Sequence, residues 1–518
     1  MNDAYDAVVV GSGAAGSLFA AKLAQAGKRV LILDAGAKRG QADLVSSQIW
    51  SRRLKGSASP IETTGAHPLS VGFGTGAGTG GSAMHHYAAW FRLHEEDFQV
   101  RSRFGNGLDW PISYADLRAD YDQVQREVGL SGDAAAEIWR PAGEPYPMPP
   151  LATFGQGRAI ARGFAALGLH TSPLPMAINS RPYQGRPACL YDGWCDAGCP
   201  TGALANPLAV YLAQALAAGA EIRHRRSVTR VLSNPAGDRA TGVECFDEHG
   251  RREVIAARVV VLASYVFEIP RILLNSREGG LANASGAVGR YMMAHTAASV
   301  NGLFREETEP HLGMTGGQLL NQDDYAKDPR KGFIGSSQWL IGNAMKPNDL
   351  LGIAGTRADL FGGELQDFLR VATRHLGTMT FCGEGLALPE NRVSLSDRRD
   401  ANGFPLAKAT HTFAPDSIRC WEAGMARGKA VMQAAGAYET WNGPRAQMHT
   451  LGGAVMGASP RTSVTNGYGQ THDVTNLFVA GSSLFPSSGG VNPTFTIHAL
   501  ALRSVKFLLA NWSGLGAR

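Results

Sequence analysis

The chain has 518 residues, 44% of them hydrophobic and 18% charged, and its 49 basic and 44 acidic residues leave a net charge of +5. This composition excludes a mainly disordered chain, and 64 glycines without a three-residue repeat exclude a collagen. So small a charge predicts no nucleic-acid partner. No apolar run approaches the ~18–20 residues of a membrane helix, so no transmembrane segment is predicted. The amino terminus, MNDAYDAVVVGSG, shows no basic segment, twin arginine or cleavage site, which predicts no export signal.

The amino-terminal region predicts a strand, a tight turn, a helix and a second strand. Residues 7–10 (AVVV) and 30–33 (VLIL) are continuous apolar runs typical of buried parallel strands, and residues 17–26 predict the helix between them. The turn carries the GxGxxG spacing of Gly11, Gly13 and Gly16.

This arrangement predicts a dinucleotide site. The glycines permit close backbone approach, and the free N–H groups at the helix start, including those of Ala14 and Ala15, suit a pyrophosphate. Asp34, followed by Ala35, stands at the end of the second strand, where it can accept the ribose hydroxyls of an adenosine. A structural turn without a ligand is the alternative, and the motif alone does not separate FAD from NAD.

The rest of the chain carries weaker patterns. Residues 67–84 form a loop of small residues, read as backbone lying close to a ligand, with a flexible linker as the alternative. Further predicted elements are a helix within 109–129, strands at 225–232, 256–263 and 476–480, and a helix at 493–510. Residues 300–440 show no sharp motif and are interpreted as substrate-facing.

Several long motifs together resemble the glucose–methanol–choline (GMC) oxidoreductases, a family of FAD enzymes. The carboxyl-terminal ones are MHTLGGAVMG (448–457), NLFVAGSSLFPSS (476–488) and GVNPTFTIHALALR (490–503). GTGGSAMHHYAAW (78–90) is similar to the family's loop along the flavin. DWPISYADLRADYDQV (109–124), VGRYMMAH (288–295) and LPENRVSL (388–395) are similar to its sugar-oxidising branch.

The resemblance implies a catalytic pair. His449 matches the family's base, which accepts a hydroxyl proton while hydride leaves the carbon for flavin N5, and an imidazole suits that task near neutral pH. Asn492 matches its partner, which holds the substrate oxygen by a hydrogen bond. His472 and His498 are interpreted as structural.

The resemblance also implies residues that contact FAD. They are Gly78, Gly80, Gly81, Ser82, Met84 and His85 in the flavin loop, Val228, Ala263 and Ser264 at the adenosine, and Gly481, Ser482, Pro493 and Thr494 near the carboxyl terminus. Some relatives attach the flavin covalently at the place of His85. Because Met84 and His86 depart from their pattern, a packing contact is favoured and covalent attachment is the alternative.

Three of the six cysteines lie within eleven residues, as Cys189, Cys195 and Cys199 in the pattern C-x5-C-x3-C-P. Short glycine-containing loops let thiolates converge, and a proline often follows iron–sulfur ligands. Zinc is a rival, although a structural zinc site needs four ligands and no fourth Cys or His lies close in sequence. Unliganded thiols are the other alternative.

The resemblance to the branch that includes the catalytic subunits of bacterial FAD-dependent glucose dehydrogenase and glucoside 3-dehydrogenase favours iron–sulfur. There, three cysteines at this spacing bind a [3Fe–4S] cluster. The glucose dehydrogenase subunit carries one additional cysteine next to the first ligand. Here that position is Leu190, and this difference removes no ligand.

We therefore expect an α/β protein of GMC fold. A Rossmann-like FAD-binding domain is predicted from residues 1–95, 186–300 and 441–518, and a discontinuous α+β substrate domain on an antiparallel sheet from 96–185 and 301–440. The expected activity is a sugar or glycoside dehydrogenase, with an O2-using oxidase lacking a functional cluster as the alternative. The resemblance implies a small export or chaperone subunit, a cytochrome c acceptor at the membrane and a periplasmic location, with a cytoplasmic location as the alternative.

Overall fold

The computed structural model describes residues 5–56, 60–71 and 74–515. Residues 1–4, on which the expectation about an export signal partly rests, and residues 72 and 73 of the predicted ligand loop lie outside this description. The strands are β1 (Tyr5–Val10), β2 (Val30–Leu33), β3 (Glu62–Thr64), β4 (Ser172–Pro173), β5 (Glu221–Arg223), β6 (Ser227–Ser233), β7 (Ala240–Phe246), β8 (Arg252–Leu262), β9 (Met293–Leu303), β10 (Leu319–Asn321), β11 (Ser337–Ile341), β12 (Leu376–Gly383), β13 (Arg392–Arg399), β14 (Pro405–Thr410), β15 (Glu439–Asn442), β16 (Ala446–Leu451) and β17 (Leu477–Val479).

The helices are mostly short and cover the faces of the sheets. The α-helices are α1 (Ala14–Gln25), α2 (Gln48–Lys55), α3 (Val100–Phe104), α4 (Tyr114–Val128), α5 (Gly155–Ala166), α6 (Tyr211–Ala217), α7 (Glu268–Ser276), α8 (Pro347–Ala354), α9 (Gly362–His375), α10 (Pro415–Ala434) and α11 (Thr494–Ala510). Short 3-10 helices span Gln41–Asp43, Gly81–His85, Glu95–Phe98, Cys195–Ala197, Pro329–Lys331 and Ser482–Leu484. No helix among the described residues is both long and apolar enough to cross a bilayer.

The first sheet has the order β5-β2-β1-β8-β7-β6, with β17 also paired to β8. β5, β2, β1, β8 and β17 run parallel, and all four residues of β2 are buried, as their continuous apolar sequence predicts. β7 and β6 extend the sheet in antiparallel pairing along the first half of β8. The helix between β1 and β2 begins at Ala14, three residues before the predicted start, so Gly16 lies inside it.

The second sheet is antiparallel, with the order β15-β9-β12-β11-β10-β4 and with β16 also paired to β9. Helix α10 lies on it and approaches closely at Gly424, where a side chain would collide with the ring of Phe381. The predicted domain boundaries at 300 and 441 fall inside β9 and β15, two neighbouring strands of this sheet. The boundaries themselves stay predictions.

Candidate active site

A cavity of about 1460 Å³ lies where the two large sheets meet. Val10, Leu33 and Ala263 line it from the carboxyl ends of β1, β2 and β8, and Ser299 and Thr378 line it from β9 and β12. Ligands of open parallel sheets bind at the carboxyl ends of the strands. The parallel sheet therefore supplies a nucleotide end to this cavity, and the antiparallel sheet supplies the opposite wall.

Most predicted cofactor contacts line this one cavity. They are Gly11, Gly13, Ala14, Ala15, Asp34, Ala35, Gly78, Gly81, Ser82, His85, Val228, Ala263, Ser264, Gly481, Ser482 and Thr494. The catalytic candidates His449 and Asn492 line it as well. Sequence positions up to 483 residues apart, from Gly11 to Thr494, thus meet in one site.

Four predicted contacts do not line the cavity: Gly16, Gly80, Met84 and Pro493. Gly16 packs its Cα against the carbonyl of Gly11, where a side chain would collide with the turn. Gly80 has a φ of +84° and leaves no room for a side chain beside the buried Met84. Pro493 immediately precedes α11.

The nucleotide end fits a dinucleotide. Gly11 has a φ of +102°, and a Cβ there would lie 2.6 Å from the carbonyl oxygen of Ala263, so the turn needs glycine. Gly13, just before α1, has room for a Cβ, whose nearest neighbour would be the carbonyl oxygen of Gly80 at 3.8 Å, an ordinary van der Waals contact. The Ser264 hydroxyl and His85 Nε2 are buried on this wall without a hydrogen-bond partner. Such orphaned polar atoms suit a bound polar group.

Asp34 organises the same end. Its carboxylate accepts hydrogen bonds from the Ser12 N–H at 3.2 Å, the Ser12 hydroxyl at 2.5 Å, the Gly36 N–H at 2.9 Å and the Gly78 N–H at 3.1 Å. Two carboxylate oxygens offer about four acceptor positions. Asp34 therefore joins the glycine turn to the predicted ligand loop through these four donors, and its contact with a ribose stays a prediction.

His449 reaches the cavity from a β-bulge. In the pairing of β16 with β9, Met448 lies opposite His295 and Thr450 lies opposite Ala294, so His449 is the extra residue between them. Its φ is +53°, a left-handed conformation that histidine adopts more readily than most residues. Bulges redirect a side chain beside active sites, and this one turns the His449 ring towards Asn492.

A chain of hydrogen bonds holds the catalytic candidates. Asn492 Nδ2 lies 3.3 Å from His449 Nε2, and Asn492 Oδ1 accepts a hydrogen bond from Gln338 Nε2 at 3.0 Å. Gln338 Oε1 in turn accepts from Gln322 Nε2 at 2.9 Å. On its other side His449 Nδ1 lies 3.0 Å from Nδ1 of His295. The predicted pair is thus brought together and fixed from both ends.

Both imidazoles of this chain are neutral. Burial, and then the neighbouring His295 ring, hold the pKa of His449 well below its ordinary value. Burial lowers the pKa of His295 to about 4, against smaller opposing effects of the Gly489 and Ser488 carbonyls and of Asp97. His449 is consequently free to accept a proton at neutral pH.

Sequence reasoning missed His295, Gln338 and Cys382. His295 closes the VGRYMMAH motif, which would have been the signal for it, whereas Gln338 and Cys382 stand in no motif. The ligand atoms of His295, Cys382 and His449 lie within 4.8 Å of one another. Because the two ring nitrogens are at hydrogen-bond distance, we interpret the group as a hydrogen-bonded pair beside a thiol.

The other two histidines considered from sequence do not line the cavity. His498 Nδ1 lies 2.8 Å from the carbonyl of Thr494, one turn earlier on α11, and His472 Nε2 lies 3.0 Å from the Ser463 hydroxyl. Both imidazoles thus have partners inside the protein.

The three clustered cysteines lie on a loop with several left-handed residues. Cys195 is buried at the start of its 3-10 helix, and Cys189 and Cys199 are half-buried. The backbone N–H of Tyr191 donates to Cys189 Sγ and that of Leu204 donates to Cys199 Sγ, both at 3.4 Å. N–H donors to sulfur are among the features that tune iron–sulfur centres.

The charges around the loop also fit a bound anionic cluster. Burial and then the neighbouring thiols of Cys189 and Cys199 raise the pKa of Cys195, so thiolates would form there only when a metal replaces their protons. Burial lowers the pKa of Arg186 to about 10 against a smaller opposing effect of Cys199, and its guanidinium donates to the carbonyls of Ala203 and Val128.

The spacing of the sulfurs argues against a single ion. The three sulfurs do not form one of the described groups whose ligand atoms all lie within 4.8 Å of one another. One zinc ion would require such a group, whereas a cluster binds each thiolate through a different iron. The iron–sulfur cluster at these three cysteines stays a prediction.

A buried ionic group connects this loop to the cavity. Asp196 is 1% exposed and pairs with Lys55 of α2, and its other oxygen lies 3.4 Å from the ammonium of Lys346. Ser51 of α2 donates to Asp196 at 2.9 Å. Ser51 and Lys55 line the cavity, so the cysteine loop and the cavity wall share one hydrogen-bonded group.

Comparison with known proteins places these features in a family. A GMC oxidoreductase model matches residues 5–297 and a second one matches residues 387–501. The chain is 30% identical to the fructose dehydrogenase large subunit of Gluconobacter japonicus, over 97% of this chain and 97% of that protein. It is also 30% identical to 2-methyl-1,2-propanediol dehydrogenase of Mycolicibacterium austroafricanum, over 99% of this chain and 96% of that protein.

A solved structure agrees in fold. Pyridoxine 4-oxidase from Mesorbium loti matches with a TM-score of 0.66 at 17% identity, over 98% of this chain and 99% of that one. The predicted mixed α/β fold and the resemblance drawn from the motifs are confirmed. The chain belongs to the GMC family of FAD-dependent oxidoreductases, which act on the CH–OH group of their donors.

Proposed function

We propose that the protein is a dehydrogenase that oxidises a sugar or glycoside hydroxyl with FAD and delivers the electrons to a one-electron acceptor. The observation that carries this proposal is the His449–Asn492 pair, held at hydrogen-bond distance in the cavity wall. Two relatives that match nearly the whole chain are named as dehydrogenases of hydroxylated molecules, which supports the same reaction class.

FAD, when bound, supplies the acceptor for the hydrogen that leaves the carbinol carbon with its electron pair. We propose that Gly13, Ala14 and Ala15 bind its pyrophosphate through backbone N–H groups. The adenosine side is assigned to Asp34, Ala35, Val228, Ala263 and Ser264. The flavin side is assigned to Gly78, Gly81, Ser82, His85, Gly481, Ser482 and Thr494. His85 is proposed as a packing contact, with covalent attachment as the alternative.

The two catalytic side chains divide the work on the hydroxyl. His449 accepts the hydroxyl proton, and the carboxamide of Asn492 donates a hydrogen bond to the same oxygen. Gln338 holds the amide oxygen of Asn492, so its NH2 group stays on the side of His449.

The antiparallel sheet and its loops contribute polar, uncharged side chains to the cavity wall. Ser299, Thr378, Thr380 and Asn343 line the cavity from the antiparallel sheet and its loops. Hydroxyls and carboxamides both donate and accept, which suits a polyhydroxylated neutral donor better than a charged one. We therefore favour a sugar or glycoside as the substrate.

Cys189, Cys195 and Cys199 are proposed to hold a [3Fe–4S] cluster, which would release electrons singly. The backbone N–H donors to two of the sulfurs support this assignment. The hydrogen-bonded group around Asp196 joins the proposed ligand loop to the cavity wall, so the loop is fixed relative to the flavin end.

We further propose that the chain works with a cytochrome c acceptor and a small export subunit at the periplasmic side of a membrane. One relative is named a large subunit, which supports an assembly of this kind. A cytoplasmic location is the alternative and would require a different acceptor.

One anaerobic experiment tests the proposal. The purified protein is mixed with glucose, fructose, sorbitol, gluconate or an alkyl glucoside, and the loss of oxidised-flavin absorbance is followed in wild type, His449→Ala and Cys195→Ser. We expect reduction by at least one donor in wild type and in Cys195→Ser but not in His449→Ala. Transfer from the reduced flavin to a one-electron dye should be slower in Cys195→Ser than in wild type.

Two outcomes contradict it. Flavin that stays oxidised with every donor rules out the proposed reaction class. Peroxide formed in air at the rate of donor oxidation, with iron absent from the protein, favours an oxidase with inert cysteines.

A further inference from the structure

His295 is fully buried on β9 and its ring has a defined hydrogen position. Its Nε2 lies 2.9 Å from the carbonyl oxygen of Gly489 and 3.2 Å from that of Ser488. A carbonyl oxygen only accepts hydrogen bonds, so Nε2 of His295 carries a hydrogen. Because the low pKa of about 4 keeps this ring neutral, it has a single ring hydrogen, and its Nδ1 is a bare acceptor.

The bare nitrogen of His295 determines where the hydrogen of His449 lies. The two Nδ1 atoms are 3.0 Å apart, and a contact of this length needs one hydrogen between the nitrogens. His295 cannot supply it, so Nδ1 of His449 does. A neutral His449 then has a bare Nε2, the atom that faces Asn492 at 3.3 Å.

We propose that His295 is a positioning residue that keeps His449 in the Nδ1–H tautomer, with Nε2 presented to the donor hydroxyl. This inference rests on the proposed function. In the proton step the O–H bond of the donor breaks and an Nε2–H bond forms on His449. The Nδ1–H of the resulting cation then donates to a neutral acceptor, a charge-assisted hydrogen bond that stabilises it. No proton moves onto His295, since its Nε2–H already points at a carbonyl.

The neighbours of the pair agree with this role. Cys382 Sγ lies beside the two rings, and burial keeps it as a thiol by raising its pKa. The Asp97 carboxylate partly opposes the lowering of the His295 pKa, and it accepts a hydrogen bond from the Tyr325 hydroxyl at 2.7 Å. His295 is therefore the group through which the protein orients its base.

Three variants separate positioning from packing. His295→Asn keeps an acceptor oxygen close to the place of Nδ1, and His295→Leu removes it. His498→Gln is the matched control, because His498 is a buried imidazole bonded to a carbonyl, like His295, but does not touch His449.

The first readout is independent of turnover. Histidine-selective ¹⁵N labelling reports the tautomer of each of the 14 histidines, and the His449 signals are identified by their loss in His449→Gln. We expect the ring hydrogen of His449 on Nδ1 in wild type, His295→Asn and His498→Gln. In His295→Leu we expect it to exchange between Nδ1 and Nε2. An Nε2–H tautomer in wild type, or an unchanged tautomer in His295→Leu, overturns the proposal.

The second readout is the rate of anaerobic flavin reduction. His295→Leu should lower it about 100-fold, as for other residues that orient a catalytic imidazole, while His295→Asn stays within about fivefold of wild type. Equal rates in His295→Asn and His295→Leu contradict positioning. The expected tautomers in a protein whose flavin no donor reduces would support the role of His295 and refute the proposed function.

Discussion

His449 stands in a backbone conformation that non-glycine residues seldom adopt. Left-handed backbone at such a residue costs of order 1–3 kcal/mol, and it persists where the surroundings determine it. Here the register of β16 on β9 leaves His449 unpaired, and the hydrogen bonds to His295 and Asn492 fix its ring. The strain thus accompanies a side chain aimed at the cavity.

The protonation of His449 leads to the first prediction. Burial, and then the His295 ring, lower its pKa, so the base form persists in acid. We expect the acid limb of kcat/KM to lie below pH 6.5, the ordinary imidazole value. The measurement is kcat/KM against pH with a one-electron dye and a non-ionising sugar, with flavin retention checked at each pH. An acid limb at or above pH 7 would contradict the assignment of His449, with its lowered pKa, as the base.

The second prediction concerns Gly11. Its φ of +102° and the 2.6 Å approach to Ala263 forbid a Cβ, so Gly11→Ala should distort the turn and yield protein without FAD. Gly27→Ala is the matched control, because Gly27 also has a positive φ, +74°, but faces open space after α1. We expect it to keep FAD at a cost of about 1–2 kcal/mol. The flavin content of the purified variants decides, and equal content in the two would refute the steric argument.

At the scale of elements, the residues within a segment were sufficient to predict the bounds of several strands and helices. β2 spans the predicted residues 30–33, α11 begins one residue from the predicted start, and α4 ends before the predicted Gly129. The bulge at His449 could not be predicted in this way. It depends on pairing between strands whose His295 and His449 are 154 positions apart, and no pattern within either strand encodes that register.

The same reason explains the other omissions at the site. Gln338 acts only through Asn492, which is 154 residues away in sequence and reaches it by folding of β11 against the 488–492 loop. The pairing of Asp196 with Lys55 and Lys346 likewise has no signal in the sequence. A salt bridge between residues that are distant in sequence produces no local pattern from which it could be predicted.

The third prediction tests the element that holds the cysteine loop. Asp196→Asn removes the carboxylate between the buried ammonium groups of Lys55 and Lys346, which are 7% and 4% exposed. Breaking one partner of a buried ion group costs about 3–5 kcal/mol, so the thermal midpoint and the iron content should both fall. Asp192→Asn, an exposed change on the same loop, should stay within about 0.5 kcal/mol. Similar decreases of the thermal midpoint and of the iron content in both variants would contradict this role of Asp196.

At the scale of the molecule, a second buried ionic group ties distant segments to the active-site loop. The ammonium of Lys327 pairs with Glu384 after β12 and lies 3.2 Å from Asp97 in a 3-10 helix. Tyr325 donates to Asp97 at 2.7 Å and accepts the N–H of Gly490 at 3.0 Å. The loop that carries Asn492 is thus anchored to three separate parts of the chain.

The fourth prediction follows from this anchor. Burial alone would lower the pKa of Lys327, but Glu384 and Asp97 outweigh burial and raise this pKa. The Lys327 ammonium therefore stabilises the fold fully below the ordinary pKa of lysine. This stabilisation is lost as the pH rises through the raised pKa. Lys327→Met leaves two buried carboxyls unpaired, at a cost of about 3–5 kcal/mol at pH 7.

The pH dependence of this variant has a definite sign. Burial and the neighbouring Asp97 already raise the pKa of Glu384 against the opposing effect of Lys327, so without the ammonium it lies further above the unfolded value of about 4. Protonation then favours the folded variant in acid, so its deficit against wild type should shrink from pH 7.5 to pH 4.5. Thermal midpoints at one scan rate measure this, with Arg330→Met as the control, since the Arg330 side chain is 90% exposed. If the difference in thermal midpoint between wild type and Lys327→Met grows in acid, Lys327 does not keep the neighbouring carboxylates ionised, which contradicts the geometry of the ion group.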